Sequence, residues 1–120
     1  VPRKPPLHTL PILGGSHELT ITRLKRGDDS FTLHYRITPP LPESGDESPV
    51  LPVLEAVDDL GNEYDDRGGA YGTHPDGSHT DGSLTAQPSL HPDAGSLQLR
   101  VTFLRGGKET SCDITLGVRR

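Results

Sequence analysis

The chain has 120 residues and a mass of 12.9 kDa, which fits one domain built on one core. It holds 14 Gly and 12 Pro, only 30% apolar residues and a formal net charge of −5, a balance that argues against a helical bundle and against nucleic-acid binding. No apolar run approaches the ~18 residues of a membrane span, and no signal-peptide pattern is present, so no membrane insertion by this segment is expected.

Residues 1–6 read as a Pro-rich extended linker, because each Pro fixes φ and removes an amide donor. The folded domain is expected over residues 7–118. Residues 7–13 form a short apolar stretch with Pro11 inside it, which suits an edge strand, and Gly14-Gly15 marks a turn. Leu19 and Ile21 then alternate with Thr20 and Thr22. Phe31, Leu33, Tyr35 and Ile37 alternate with Thr32, His34, Arg36 and Thr38. A period of two places one set on a buried face, and the Gly-Asp segment at residues 26–30 joins the two runs as a hairpin.

Residues 39–52, with five prolines, predict a polar crossing loop; apolar content resumes at residues 50–57. Gly61-Asn62 offers residues that tolerate positive φ, as a tight turn demands. The glycine-rich stretch at residues 65–83 reads as a long loop, of the kind that is functional or mobile. A short strand at residues 84–86 and a corner at residues 88–94 follow. Leu97, Leu99, Val101 and Phe103 alternate with polar residues, Gly106-Gly107 turns the chain, and Cys112, Ile114, Leu116 and Val118 form the last alternating set. Seven to eight short strands without helical periodicity predict an all-β, antiparallel β-sandwich.

Four features occur in order: the early strand, the hairpin from Leu19 to Ile37, the Asp-Asp-x-Gly-Asn-x-Tyr turn from Asp58 to Tyr64, and the Pro-x-Leu-x-Pro-x-Ala corner from Pro88 to Ala94. This order resembles immunoglobulin-like β-sandwich domains of unknown function from bacteria, of the actinobacterial type. The resemblance covers roughly residues 7–116 and rests on turns and core positions, so it implies a fold and supplies no catalytic residues. Similar modules occur in envelope-associated and regulatory proteins, which favours the cell envelope or exterior over the cytoplasm. With no Met at position 1, the segment reads as part of a longer protein.

Between residues 40 and 82 there are eleven acidic residues and one basic residue, Arg67. Phosphate backbones are repelled by such a segment, and with no Trp little is available for base stacking, so no nucleic-acid partner is expected. Asp58, Asp59, Asn62, Glu63, Asp65 and Asp66 offer oxygen ligands of the kind Ca²⁺ takes, though without EF-hand spacing. The same residues equally make a charged, solvated turn. His74, Asp76, His79 and Asp81 gather two imidazoles and two carboxylates, which makes them a loop interaction candidate with zinc-type chemistry; a flexible solvated loop is the plainer reading. Ser78, His79 and Asp81 have the residue types of a hydrolase triad but sit as neighbours on an expected loop, where they are not expected to align. Arg26-Gly27-Asp28 spells an integrin-type tripeptide in a turn. His34 should face outward, and Cys112, the single cysteine, reads as a buried structural thiol.

These features point to a non-catalytic accessory module for protein–protein interaction or spacing in a larger bacterial protein, with no cofactor. A Ca²⁺-binding or ligand-sensing domain using residues 58–66 is the alternative.

Overall fold

The computed structural model describes residues 8–41 and 50–118. The expected linker at residues 1–6 and most of the expected crossing loop lie outside them. Among the described residues, eight strands follow one another: β1 (His8–Ile12), β2 (His17–Arg26), β3 (Phe31–Thr38), β4 (Leu51–Asp58), β5 (Glu63–Thr73), β6 (Thr80–Gln87), β7 (Ser96–Arg105) and β8 (Lys108–Gly117). A single 3₁₀ turn at Leu13–Gly15 links β1 to β2. The fold is all-β and every pairing is antiparallel, in the order β1-β2-β3-β6-β5-β4-β7-β8. The sheet curls until β1 and β8 approach one another, which gives it a nearly barrel-like outline.

Alternation explains the strands. Leu19 and Ile21 of β2, the Phe31–Ile37 set of β3, and Leu97, Leu99, Val101 and Phe103 of β7 are all buried. Their neighbours in sequence point to water, so one interior is filled from both halves of the sheet. The β2–β3 hairpin and its turn stand where the sequence places them, with an irregularity between Ile21 and Arg23 that resets the register. β1 forms an edge strand around Pro11, as its proline requires. The expected crossing loop is shorter at its far end, because Leu51 and Pro52 already belong to β4.

The glycine-rich segment at residues 65–83 is not a long loop. It is most of two strands, β5 and β6, paired from Asp65↔Gln87 to Thr73↔Thr80. The expected short strand at residues 84–86 is thereby extended to Thr80–Gln87. Glycine serves close approach here: a Cβ on Gly82 would overlap the buried ring of Tyr35 on β3, so the strand pairs with β3 only because no side chain stands there. A register shift between Asp66 and Gly69 further breaks the alternation that would have marked β5.

β5 joins the two halves of the sheet. Its first residues pair with β4 at Ala56↔Tyr64 and Val57↔Glu63, and the remainder runs along β6. Beyond that short ladder, β4 and β5 separate. The Asp66 carboxylate then accepts a hydrogen bond from Leu54 N–H at 2.8 Å, and the Tyr71 hydroxyl donates to the Val50 carbonyl at 2.5 Å.

Candidate functional site

The acidic turn at residues 58–66 is built around Asp58, which is only 4% exposed. One carboxylate oxygen accepts from the backbone N–H groups of Leu60 and Asn62, each at 2.9 Å. The other accepts from Asn62 Nδ2 at 2.9 Å and from the Tyr64 hydroxyl at 2.7 Å. Burial alone would raise this carboxyl's pKa, but the hydrogen bonds from Asn62, Tyr64 and Leu60 outweigh it and hold it at about 2. Tyr64 in turn accepts from His91 N–H at 3.0 Å and meets Phe31 edge-on at 5.2 Å. Asp59 accepts from Gly95 N–H at 3.0 Å, and Asp66 from Gly68 N–H at 2.6 Å. Gly61, and not Asn62, takes the positive φ, at 87°.

These carboxylates brace a turn and tie it to the corner before β7. Asp58, Asp59 and Asp66 have oxygens committed to backbone donors, while Glu63 and Asp65 are exposed on β5. The six residues do not form a ligand cluster: among the described residues, the only group of three or more metal-ligating side chains is elsewhere.

That group is His74, Asp76 and His79, at the tip of the β5–β6 hairpin. The ladder Gly72↔Asp81 and Thr73↔Thr80 continues to His74 opposite His79, whose carbonyl accepts from His74 N–H at 2.8 Å. Opposed residues share a face, so the two imidazoles lie together, centroids 4.5 Å apart. Between them Pro75, Asp76 and Gly77 make a turn closed by Gly77 N–H donating to the His74 carbonyl at 2.8 Å, with Gly77 at φ +75°. The tip is thus an ordered turn, and its ligand-type groups are held at fixed separations.

Asp76 Oδ1 is the hub. It accepts from Ser78 N–H at 2.9 Å and from the Ser78 hydroxyl at 2.6 Å, and lies 3.0 Å from His74 Nδ1. Hydrogen bonds from the Ser78 hydroxyl and amide, aided by His74, push the Asp76 carboxyl far below the usual carboxylate range. His79 is 7% exposed, with Nδ1 2.6 Å from the Ser78 hydroxyl and Nε2 3.2 Å from Asp81 Oδ1. Asp81 also lies 3.8 Å from Arg36 Nε. Ser78, His79 and Asp81 are therefore brought together after all, because the stretch is a hairpin. They do not make a hydrolytic relay: the Ser78 hydroxyl is shared with Asp76, and His79 Nε2 is out of line for hydrogen bonding to Asp81.

Other candidates settle quickly. The Arg26 guanidinium bonds to the Val118 carbonyl, so the tripeptide at residues 26–28 is not displayed as a unit. His34 lies beside Arg23 at 3.3 Å, and burial, with the charges of Arg23 and Lys25, lowers its pKa. Cys112 is half-buried against the core, and burial raises its thiol pKa.

Sequence reasoning missed a second place, on the outer face of β4, β5, β7 and β8. A recess of about 680 Å³ there is lined by Glu55, Glu63, Asp65, Asp66 and Asp113 against a single cation, Arg100. Register aligns Glu55, Arg100 and Asp113 in one row across three strands, with Arg100 Nε donating to Asp113 at 2.8 Å. The outward row of β4 that enters the recess also carries Leu51 and Val53, which are 54% and 39% exposed. The signal was available as the polar set of each alternating strand, but its convergence depends on strand order.

No family model matches the chain, and no curated protein matches it. Among solved structures, it is similar in fold to a conserved domain protein from Bacillus anthracis, with a TM-score of 0.58 and 20% identity over 93% of this chain. The chain spans 49% of that protein's length. The GAE domain of yeast GGA1 aligns over 93% of this chain and 98% of its own, at 12% identity and a TM-score of 0.38. Among the described residues, no helix is long and apolar enough to cross a membrane.

Proposed function

We propose that the chain is an immunoglobulin-like β-sandwich that acts as a non-catalytic module for protein–protein contact or spacing, and that it receives its partner in the acidic recess. The sandwich reading is supported by the way β3 pairs with β6 and β4 with β7 around one core. The bacterial and envelope settings implied by the resemblance belong to the same proposal.

The recess is the observation that carries it. Five carboxylates against one guanidinium favour a cationic ligand, and the apolar row of Leu51 and Val53 leading in favours one with apolar side chains as well. The occupant is an extended segment of a partner protein whose sheet-facing residues, every second one along the chain, are Lys or Arg over the carboxylates and apolar over Leu51 and Val53. Arg100, held between Glu55 and Asp113, sets the register by repelling a cation at that one point.

A synthetic peptide whose every second residue runs Lys, Lys, Val, Val, with Thr between them, titrated calorimetrically into the full chain, tests the proposal. Saturable one-to-one binding is expected, weakening as salt rises and falling about tenfold in Glu55→Lys. Glu55 is exposed, so that variant should stay folded, with a melting temperature lowered only slightly by the Lys set opposite Arg100. Absence of saturable binding, or equal affinity for the Glu55→Lys protein, would overturn the reading.

A further inference from the structure

The hairpin tip lies apart from the recess and uses different chemistry. We propose that it is a binding site for a divalent transition-metal ion of the zinc class, with His74, Asp76 and His79 as protein ligands and Asp81 as a positioning residue behind His79.

The first support is convergence. One ligating atom from each of the three residues lies within 4.8 Å of the other two. Zinc bonds of about 2.0–2.2 Å put neighbouring ligands of a tetrahedral ion roughly 3.3 Å apart. His74 Nδ1 and Asp76 Oδ1 already stand 3.0 Å apart, so they need only small shifts. The Ser78 hydroxyl, 2.6 Å from both Asp76 Oδ1 and His79 Nδ1, now bridges these two ligands and swings aside as the ion enters.

A second, independent support is the buried nitrogen. His79 Nε2 belongs to a side chain only 9% exposed and has no hydrogen-bond partner, although Asp81 Oδ1 lies 3.2 Å away, out of line with it. That nitrogen lies on the Asp81 side of the ring, away from Nδ1, so an ion would not pair it directly but would select the tautomer in which it can donate to Asp81. Metal on Nδ1 fixes the proton on Nε2. A small turn of the ring then aims that N–H at Asp81, the carboxylate–histidine–metal arrangement that orients ligating imidazoles.

Ligand type decides the class. Imidazole nitrogens suit zinc, copper, nickel and iron, while Ca²⁺ and Mg²⁺ prefer all-oxygen cages. Two carboxylates, Asp76 and Asp81, face one nearby cation, Arg36, so the local charge also favours a cation. The Pro75-Gly77 turn keeps His74 and His79 opposed before the ion arrives, which lowers the ordering cost of binding.

Calorimetry with ZnCl₂ on the chelator-treated full chain tests the site, with Co²⁺ as a visible-absorbing substitute. One equivalent of Zn²⁺ should bind and raise the melting temperature by mass action. Because His79 is buried and its loss could unfold the hairpin, the diagnostic variants are His74→Ala, at a half-buried position, and Asp76→Asn, at an exposed one. Each should weaken Zn²⁺ binding about 100-fold, and Asp81→Asn about tenfold. Millimolar Ca²⁺ should not compete, and the Co²⁺ ligand-field band should vanish in His74→Ala. No stoichiometric Zn²⁺ binding, undiminished binding in His74→Ala, or displacement by Ca²⁺ would each overturn the proposal.

Discussion

Replacing Asp58 by Asn keeps the shape of the side chain and removes its charge and one of its two accepting oxygens. In the native protein those oxygens receive Leu60 N–H, Asn62 N–H, Asn62 Nδ2 and the Tyr64 hydroxyl. The introduced amide must turn its NH₂ toward one pair of these donors, leaving them unpaired in a buried place. A loss of about 2–4 kcal/mol at neutral pH follows, a large share of the roughly 5–15 kcal/mol that holds a domain together. Part of this loss depends on pH. The folded carboxyl titrates at about 2, below its ordinary 3.8. Its charge therefore stabilises the fold fully above the unfolded value, and that contribution disappears as pH falls from 3.8 through about 2. Allowing for solvent screening at a turn, this part amounts to about 1–2 kcal/mol. Urea unfolding followed by circular dichroism, for both proteins at intervals from about pH 7 to pH 2, isolates it. The stability gap between parent and Asp58→Asn should narrow by that amount over the acid window. A gap that stays constant with pH would refute the account, because the exposed carboxylates titrate alike in both proteins.

Further outcomes follow from other positions. Gly82→Ala forces a methyl group into the Tyr35 ring and should cost about 1–3 kcal/mol in urea unfolding; an unchanged midpoint would mean the strands do not approach so closely. Thr80 is fully buried and its hydroxyl accepts from Leu41 N–H at 2.8 Å, so Thr80→Val, nearly identical in shape, should lose about 1–3 kcal/mol by stranding that amide. Cys112 should react slowly with a disulfide reagent at mildly alkaline pH in the native protein and rapidly once denatured, since burial disfavours its thiolate; equal rates would place the thiol in solvent.

The strands that were legible in the sequence are those whose apolar residues alternate without interruption, β3, β7 and β8, together with β2 up to its irregularity after Ile21. β5 was illegible because its inward positions, from Tyr64 to Tyr71, straddle a register shift and two consecutive glycines. A residue count cannot tell glycines that let a strand pass close to its neighbour from glycines that loosen a loop. The tip is more readable than its glycine content implies. Pro-Asp-Gly between two polar runs is turn chemistry, and the two histidines that flank Pro75-Asp76-Gly77-Ser78 are a cross-strand pair once that turn is accepted. The acidic residues at 58–66 show the reverse. Their number suggested ligands, whereas their oxygens are consumed by amides that only the folded turn supplies. The recess was beyond reach, since Glu55, Arg100 and Asp113 meet only through the order β4-β7-β8.

The ends of the strand order bear on how this protein behaves among copies of itself. Open rows of amides and carbonyls let one sheet grow into another, the common route to fibrils and swapped dimers. Here β1 and β8 come up against each other, and Pro11 interrupts the donors of β1. Where β4 parts from β5, the Asp66 carboxylate and the Tyr71 hydroxyl stand in for the missing strand at Leu54 and Val50. Sheet growth is thus opposed at Pro11 and where β4 parts from β5, and association at those places is left to side chains, where sequence can choose the partner.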